Sequence, residues 1–365
     1  MKRFFTGRTK VLAAAATLAL GLTACGGSSG TSGAQAEGEK PSLVIASWGN
    51  PFTEATQTHL VDPFVKETGY DVKIVDAPGK YLASLESQQQ ANKIEWDLLD
   101  STSGPDAYLA YDKGLIDKMP DDVKERILKE LPESAVTDFG ITWSTLGYII
   151  ACRTEAVQKC PANTKEFFDA KAFPGSRTSI ATSPMVNLSL AEVAAGVPIE
   201  DLATHEIDLD RAFATLESIK PEMSTFWSSG DQNMQVFNTG EADMGISYSG
   251  RAYSVDKDGT PMSITWEDGL YNPGFWNVVK GSAHSAAAWE FVEWIATHPE
   301  AQAKWGEALG YSVPHPKAFD FISDEVATTL ADFPENRELL GRMNYEWYVK
   351  NYDEVNKRWQ EFIRG

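Results

Sequence analysis

Short apolar runs alternate with segments of helical periodicity along the first part of the chain. Ser42–Trp48, Asp71–Val75 and Trp96–Leu99 predict strands, because each is a short run of apolar or alternating residues. Thr56–Thr68 and Tyr81–Asn92 predict helices, since their apolar residues recur at helical spacing. Strands that alternate with helices form a mostly parallel sheet that helices cover on both faces. The pattern therefore predicts an α/β fold.

The alternation continues through the rest of the chain. The apolar runs Leu146–Cys152 and Phe275–Val279 have the composition of strands that cross the molecule. A length of 365 residues exceeds what one hydrophobic core usually serves, which predicts two domains or lobes. The remaining predicted elements are the strands Thr178–Ala181 and Met244–Tyr248, and the helices Leu188–Gly196, Arg211–Ile219, Ser285–His298 and one that Pro299 opens and Gly310 ends.

Small polar and aromatic residues follow two of the predicted strands. Trp48 and Asn50 come after the first strand, and Ser101, Thr102 and Ser103 form the predicted turn after the third. Ligands of open α/β sheets lie beyond the carboxyl ends of the strands. Neither segment is a nucleotide-binding glycine loop. These five residues are therefore predicted to line a ligand site whose chemistry the pattern leaves open.

Acidic residues outnumber basic ones. The 52 Asp and Glu residues against 32 Lys and Arg give a formal charge of −20. A surface this acidic repels phosphate backbones and anionic lipid heads, which argues against nucleic acid as a partner. The contents of 42% hydrophobic and 23% charged residues are those of a globular protein rather than a disordered one.

The N-terminus has the pattern of an export signal. Val11–Leu22 is an unbroken apolar run that follows a basic segment, and it is shorter than the roughly 20 residues that span a bilayer. Leu22–Cys25 resembles the bacterial lipobox, in which the cysteine receives a diacylglyceryl group and becomes the mature N-terminus. We predict a signal peptide over 1–24, lipidation at Cys25 and a flexible lipid-anchored tether over 25–40. The alternative is an ordinary cleavage site with an incidental cysteine.

Two further cysteines remain in this exported and oxidising setting. Cys152 and Cys160 are an even pair, and a disulfide that closes such a short loop stabilises a protein by about 2–3 kcal/mol. The alternative is that Cys152 is a nucleophile. The five histidines are scattered, and neither CxxC nor HxxxH occurs, so the sequence predicts no metal site and no cofactor.

Trp48 and three longer segments fall in a characteristic order. The segments are WDLLDSTSGPDAYLAYDKGLID, FNTGEADMGISYSGRA and WNVVKGSAHSAAAWEFVEWIATHPEAQAKWGEALGYSVPHP. Together they resemble the extracellular solute-binding proteins of ABC importers, the group that contains spermidine/putrescine receptors, over about residues 41–320. The resemblance implies a two-lobed, type II periplasmic-binding-protein-like fold, with two crossing hinge strands and a cleft that closes on one solute.

The resemblance also implies how the chain is divided. Lobe 1 is expected to comprise 41–148 and 273–365, including the C-terminal helices, and lobe 2 to comprise 149–272. The hinge is expected at Gly147–Arg153 and Asn272–Val279. The expected partners are a small-molecule solute and the transmembrane subunits of an ABC permease. We expect a monomer, lipid-anchored on the extracellular face of the cell membrane (the periplasmic side in a Gram-negative cell).

The solute is a question of individual residues. On the alignment that the resemblance implies, the acids of polyamine receptors fall on Ser183–Asn187 and Asn272–Gly274, which contain no acid. Arg251 follows the strand Met244–Tyr248, at a position where those receptors have a small residue. A guanidinium binds a carboxylate bidentately and repels a polycation. Arg251 is therefore predicted to contact the ligand, the alternative being a surface ion pair.

A cationic end of the ligand needs aromatic faces or an acid. Each candidate ring could instead belong to the hydrophobic core, and each candidate acid could be solvated. The interpretation that satisfies both charges is a small zwitterion such as an amino acid, a γ-amino acid or a betaine, and a polyamine is the alternative. The candidate aromatic walls are Trp48, Trp143, Tyr248 and Trp276, and the candidate acids are Glu267 and Asp268.

Other classes of protein find less support in the sequence. An enzyme needs a nucleophile with a base, a metal or a paired-carboxylate motif, and the zinc-binding motif HExxH is missing. We therefore predict that the protein is not an enzyme. The alternative is a cleft-cysteine enzyme on the same fold, with Cys152 as its nucleophile. An adhesin would favour internal repeats, and the sequence contains none.

Overall fold

The computed structural model describes residues 41–364. The predicted signal peptide (1–24), lipidation site (Cys25) and tether (25–40) lie outside the described residues. Within them, no helix combines the length and the apolar character needed to cross a membrane.

Nine strands form one mixed sheet in the described part of the chain. The strand order is β2-β1-β3-β8-β4-β7-β5-β6, and β9 pairs with β8 beside this path. The strands are β1 (Ser42–Ser47), β2 (Asp71–Asp76), β3 (Leu98–Ser103), β4 (Ile141–Arg153), β5 (Arg177–Ile180), β6 (Met223–Trp227), β7 (Met244–Tyr248), β8 (Met262–Val278) and β9 (Leu340–Arg342).

Helices pack on this sheet, as the alternating pattern predicted. A π-helical turn, Gln57–Val61, joins the first two helices. The α-helices are α1 (Phe52–Thr56), α2 (Asp62–Thr68), α3 (Tyr81–Gln90), α4 (Gly104–Asp112), α5 (Asp121–Ile127), α6 (Thr164–Phe168), α7 (Pro184–Ala194), α8 (Leu209–Ile219), α9 (Gly230–Asn238), α10 (Ser249–Lys257), α11 (Ser285–Thr297), α12 (Pro299–Leu309), α13 (Asp324–Ala327), α14 (Pro334–Arg337), α15 (Tyr345–Lys350) and α16 (Tyr352–Arg364). Short 3₁₀ helices cover Glu133–Ala135, Ile199–Asp201, Lys220–Glu222 and Pro316–Phe321.

Two long strands run through both halves of the sheet. The start of β4 and the end of β8 lie in the half that contains β1, β2 and β3, whereas the end of β4 and the start of β8 lie beside β7. We call the half with β1–β3 lobe 1 and the half with β5–β7 lobe 2. In lobe 1, β3 leads directly into α4, and in lobe 2, β7 leads directly into α10. These strand ends, together with the loop after β1, hold the candidate site.

The second crossing strand is much longer than its apolar run predicted. Only Phe275–Val279 was expected, but β8 starts at Met262 and includes the polar Asn272. One side of β8 pairs with β4. On its other side, Gly269–Tyr271 pairs with β9 and the end of the strand pairs with β3. Because backbone hydrogen bonds hold this strand, its polar side chains do not end it.

The C-terminal helices do not all belong to lobe 1. We expected 273–365 in that lobe, and α15 does pack on α4. However, α16 packs against α7 in lobe 2, where the indole Nε1 of Trp359 donates to the backbone oxygen of Ala181 (2.7 Å). Phe362 in the same helix packs against Phe213. The apolar face of α16 is buried on lobe 2, so the chain returns to lobe 2 after α15.

Candidate functional site

The loop after β1 contacts the end of β3 at the strand ends of lobe 1. Trp48 is half-buried, and its Nε1 donates to the backbone oxygen of Ser101 (2.9 Å). The Trp48 ring packs edge-on against Tyr81, with centroids 5.5 Å apart. Asn50 is exposed in the same loop. Trp48 and Ser101 are therefore held together, and the Trp48 side chain is only partly buried.

The predicted turn at Ser101–Ser103 is the end of β3 instead. Thr102 pairs with Phe275 and Ser103 with Gly274, after an irregularity in the ladder at which Ser101 has a φ of 55°. Ser103 then caps α4 by accepting a hydrogen bond from the backbone nitrogen of Asp106 (3.4 Å). The Thr102 hydroxyl is buried and has no hydrogen-bond partner among residues 41–364.

The strand end of lobe 2 leads directly into α10. Tyr248 occupies the N-cap position of this helix and makes no capping hydrogen bond with its side chain. The Ser249 hydroxyl accepts from the backbone nitrogen of Gly147 (3.2 Å) and does not cap the helix either. The first N–H groups of a helix carry a partial positive charge and attract anions. The start of α10 is therefore suited to an anionic group.

Arg251 lies in the first turn of α10, and its side chain is 27% exposed. Its nearest carboxylate in the described part of the chain is Asp231, at 3.9 Å and 93% exposed. Its Nη1 approaches the sulfur of Met234 (3.5 Å). Burial raises the pKa of Tyr311, and the Arg251 guanidinium, in hydrogen-bonding contact with that hydroxyl, offsets part of the rise. The guanidinium thus lacks a close anionic partner.

Aromatic rings pack around Tyr248, the residue that precedes α10. Tyr248 packs against Trp227 (centroids 4.8 Å apart) and Tyr148 (5.3 Å). Burial raises the pKa of Tyr248 well above its usual value, so its phenol is neutral. The sequence analysis missed two of the tyrosines at this site. Tyr148 lies inside an apolar strand and so looks like a core residue. Tyr311 could have been found from its position directly after Gly310, the left-handed residue that ends α12.

The two lobes touch beside Arg251. A Cβ atom at Gly250, in the first turn of α10, would lie 2.9 Å from the backbone oxygen of Gly310. Tyr311, which follows Gly310, also packs against Phe52 of lobe 1, with ring centroids 5.4 Å apart. The start of α10 and the end of α12 therefore meet at this point, and only glycine fits at position 250 without a shift of backbone.

The sequence pattern of one family, described as bacterial extracellular solute-binding protein, matches residues 59–334. This span covers most of the chain. The chain belongs to this family. Membership confirms the resemblance that the ordered segments indicated, and it places the strand-end cluster in a protein that binds a solute.

Known relatives agree with this assignment. The γ-aminobutyric acid-binding protein of Pseudomonas aeruginosa is 26% identical over 329 residues, which are 89% of this chain and 92% of that protein. A crystal structure of an ABC transporter substrate-binding protein from Bradyrhizobium japonicum is 28% identical with a TM-score of 0.80, covering 88% of this chain and 99% of that one. A γ-aminobutyrate (GABA) receptor of known structure is 28% identical with a TM-score of 0.78, covering 88% and 97%. The solute-binding protein thus has the two-lobed type II fold of ABC importer receptors.

Two of the predicted aromatic walls of this solute-binding protein are core residues instead. Trp143 and Trp276 are both 0% exposed. Trp143 packs against Trp305 (centroids 4.7 Å apart) and Trp276 (6.1 Å). Trp143 lies in β4, where Trp276 of β8 and Trp305 of α12 enclose it. The prediction that these two rings face the ligand is wrong.

The two candidate acids of the solute-binding protein lie elsewhere. Glu267 is exposed, and Asp268 adopts a left-handed conformation with a φ of 58° in an irregular stretch of β8. The Asp268 backbone oxygen accepts from the Thr164 hydroxyl (3.0 Å), and burial raises the pKa of its carboxyl. Neither acid forms an ion pair with Arg251 within residues 41–364. The structure does not bring them to the cluster.

Cys152 and Cys160 of the solute-binding protein are joined by a disulfide, with a sulfur–sulfur distance of 2.03 Å. Cys152 is 0% exposed and lies near the end of β4. A sulfur that is buried and bonded is not available as a nucleophile. The geometry gives no support to the alternative of a cysteine enzyme.

Proposed function

We propose that this solute-binding protein captures a small zwitterion of the γ-amino acid class, such as GABA, between its two lobes. The observation that carries the proposal is the half-buried Arg251 guanidinium, which has no close carboxylate and lies at an uncapped helix start. The names of two relatives that span most of the chain support GABA in particular. The carboxylate of the ligand binds Arg251 and the first N–H groups of α10.

The charge of the site explains why a carboxylate suits it. Arg251 offers a planar fork of donors, and the helix start adds partial positive charge to the same place. The rings of Tyr148, Trp227 and Tyr248 restrict water there, which strengthens a charge-assisted hydrogen bond. A carboxylate on Arg251 leaves the cationic end to extend toward Trp48, whose ring face can hold an ammonium group by a cation–π interaction.

A polyamine is the weaker alternative. A diamine has no anionic end for Arg251, and the guanidinium would repel its ammonium groups. The resemblance places the acids of polyamine receptors at Ser183–Asn187 and Asn272–Gly274, and neither segment contains an acid. The cluster therefore favours a ligand with one carboxylate over a ligand with only cations.

We also propose the cellular setting that the sequence predicts. The mature protein is a lipoprotein that begins at Cys25, lies on the extracellular face of the membrane as a monomer, delivers its solute to permease subunits and catalyses no reaction. Lobe 1 and lobe 2 follow the predicted boundaries apart from α16, and the disulfide between Cys152 and Cys160 forms in the exported protein.

Replacing Cys25 by serine is expected to release the protein from the membrane fraction without changing ligand affinity, and a variant that stays membrane-bound would contradict the anchor.

A thermal-shift screen tests the choice of ligand. A solute that binds only the folded protein raises its melting temperature in proportion to the logarithm of its concentration above Kd. We expect GABA or a related amino acid to raise the melting temperature, and putrescine and spermidine to leave it unchanged. A rise with putrescine, without one for any zwitterion, would transfer the assignment to polyamines. Glycine betaine has a quaternary ammonium group, which is cationic but has no N–H donor. A rise in melting temperature with this solute would show that the site needs only the positive charge.

A further inference from the structure

Lobe 1 contains a fully buried carboxylate directly beneath its strand-end loops. Asp100, near the end of β3, is 0% exposed. Its Oδ2 accepts hydrogen bonds from the hydroxyls of Ser47 (2.8 Å) and Thr56 (2.8 Å), and its Oδ1 accepts one from Ser101 (2.7 Å). Three donors orient the carboxylate, and all three are neutral.

No cation balances this carboxylate within residues 41–364, since no Lys, Arg or His forms an ion pair with Asp100. Buried charges in proteins are ordinarily paired, because an isolated one is costly to desolvate. The titratable group that faces Asp100 is Tyr81 of α3, and burial followed by the charge of Asp100 raises its pKa well above the usual value. Tyr81 is therefore neutral. The Trp305 indole donates to Thr56 and carries no charge either (3.0 Å).

The hydroxyls that bind Asp100 belong to the segments that carry the candidate site. Ser47 precedes Trp48, and the backbone oxygen of Ser101 accepts the Trp48 indole N–H. Thr56 ends α1, the helix that follows the Trp48 loop. The carboxylate thus connects the end of β1, the helix after it and the end of β3. Asparagine or serine could connect them without charge, so the charge itself needs an explanation.

We propose that Asp100 is a positioning and specificity-determining residue, whose unpaired negative charge attracts the ammonium end of the ligand to lobe 1. The proposal rests on the proposed function, because it assumes a ligand with a cationic end. A charge in a low-dielectric interior acts over a longer range than one in water, so Asp100 can act through Trp48 and Ser101 without touching the ligand. Arg251 in lobe 2 and Asp100 in lobe 1 then fix the direction in which a zwitterion binds.

Protonation would switch this charge off. Burial raises the pKa of Asp100 to about 6, against the opposing effect of its three hydroxyl donors. A carboxyl with a raised pKa gains its proton at a higher pH than a free carboxyl does. Acidification from pH 7.5 to 5.0 therefore neutralises Asp100, whereas GABA keeps both of its charges over this range. Ligand affinity is expected to fall as the pH falls through about 6.

Calorimetric titration of GABA at pH 7.5 and 5.0 tests the proposal with the wild type, Asp100→Asn and the control Asp112→Asn. Asparagine keeps the shape of the side chain and removes its charge, and Asp112 is an exposed acid of the same lobe. We expect Asp100→Asn to bind about tenfold more weakly than the wild type at pH 7.5, an electrostatic difference of about 1.4 kcal/mol. We expect the wild type to approach the variant at pH 5.0, and Asp112→Asn to match the wild type at both values.

Two results would overturn the role of Asp100. One is an Asp100→Asn variant that binds as tightly as the wild type at pH 7.5. The other is a wild-type affinity that does not change between pH 7.5 and 5.0, a result that needs no variant to fold. A purely structural role predicts a lower melting temperature with an unchanged dependence of affinity on pH. If the wild type does not bind GABA or any other zwitterion, the proposed function itself fails.

Discussion

At the strand ends of lobe 1 the charged group is enclosed, whereas at those of lobe 2 it is accessible. Asp100 is 0% exposed and accepts three hydrogen bonds from hydroxyls, whereas the Arg251 side chain is 27% exposed and has one acid at 3.9 Å. Asp100 has used its acceptor oxygens within the fold, but Arg251 keeps donors for another molecule. The difference separates a charge that acts through its field from one that acts by contact.

This distinction predicts how much each residue contributes to affinity. A charge-assisted hydrogen bond to a desolvated ligand group is strong, and its loss leaves the ligand carboxylate unpaired. A charge that does not touch the ligand acts only through its potential, which falls with distance. We therefore expect substitutions at Arg251 to reduce affinity more than substitutions at Asp100.

The largest effect is expected for Arg251→Gln. Removing the guanidinium should weaken GABA binding by about 2–5 kcal/mol, or tens- to thousands-fold, because the ligand carboxylate becomes desolvated without a partner. Calorimetry measures the change, and Lys257→Gln, an exposed cation at the other end of α10, is the matched control. An Arg251→Gln variant with the Kd of the wild type would show that lobe 2 does not hold the carboxylate.

Asp100→Asn should stabilise the fold while it weakens binding. A carboxyl whose pKa is higher when folded contributes stability that is present below its unfolded pKa and is lost as the pH rises through the folded value of about 6. Removing the charge should therefore raise the free energy of unfolding at pH 7.5 by up to about 3 kcal/mol, and by little at pH 4. Urea denaturation at both pH values measures this difference. A variant that is less stable than the wild type at pH 7.5 would make Asp100 a structural acceptor.

A substitution at the contact between the two lobes is expected to have a smaller effect on ligand affinity. In Gly250→Ala the added methyl group would meet the backbone oxygen of Gly310 at 2.9 Å, so the lobes would have to separate slightly. Such overpacking costs roughly 1–3 kcal/mol, and we expect it to weaken ligand binding accordingly. X-ray scattering with saturating GABA should show a larger radius of gyration than for the wild type. Identical radii and affinities would indicate that the ligand-bound lobes do not meet at this glycine.

Trp48→Ala is expected to show the smallest loss of ligand affinity. A cation–π contact with an ammonium group contributes about 1–2 kcal/mol when it is desolvated, so affinity should fall roughly tenfold. Trp143→Phe is the matched control, because Trp143 is enclosed in the core of lobe 1 and should affect unfolding rather than Kd. Equal losses of affinity in both variants would point to a general loosening of lobe 1 instead of a ligand contact.

The hydrophobic pattern predicted the fold well where strands are apolar and short. The strands β1, β2 and β7 lie where their runs predicted, and Gly69 and Gly310 end helices in the left-handed conformation that glycine favours. The pattern did less well where pairing, and not side-chain polarity, maintains a strand. Polar residues after Trp143 and in the first part of β8 concealed parts of two strands, β4 and β8, that pair with each other.

The positions of the candidate residues at the strand ends were predictable, but their surroundings were not. The rule that ligands lie at strand ends selected Trp48, Ser101 and Arg251; in the structure Trp48 and Ser101 meet at the strand ends of lobe 1, and Arg251 lies in the first turn of α10. Spacing along the sequence could not show whether Trp143 faces a ligand or a helix, since both surroundings are apolar. Asp100 had a usable signal, because an acid between apolar residues of a strand and small hydroxyl residues is rarely buried without a reason. Its three hydroxyl donors come from distant positions, which only the fold brings together.

The most direct test of the central claim is a crystal structure of the protein with GABA. We predict that the ligand carboxylate lies within hydrogen-bonding distance of the Arg251 guanidinium and the first backbone N–H groups of α10, and that its ammonium group lies on the side of Trp48 and Ser101. A ligand bound in the opposite direction, with its ammonium group beside Arg251, would contradict the account. So would a ligand bound away from both strand ends.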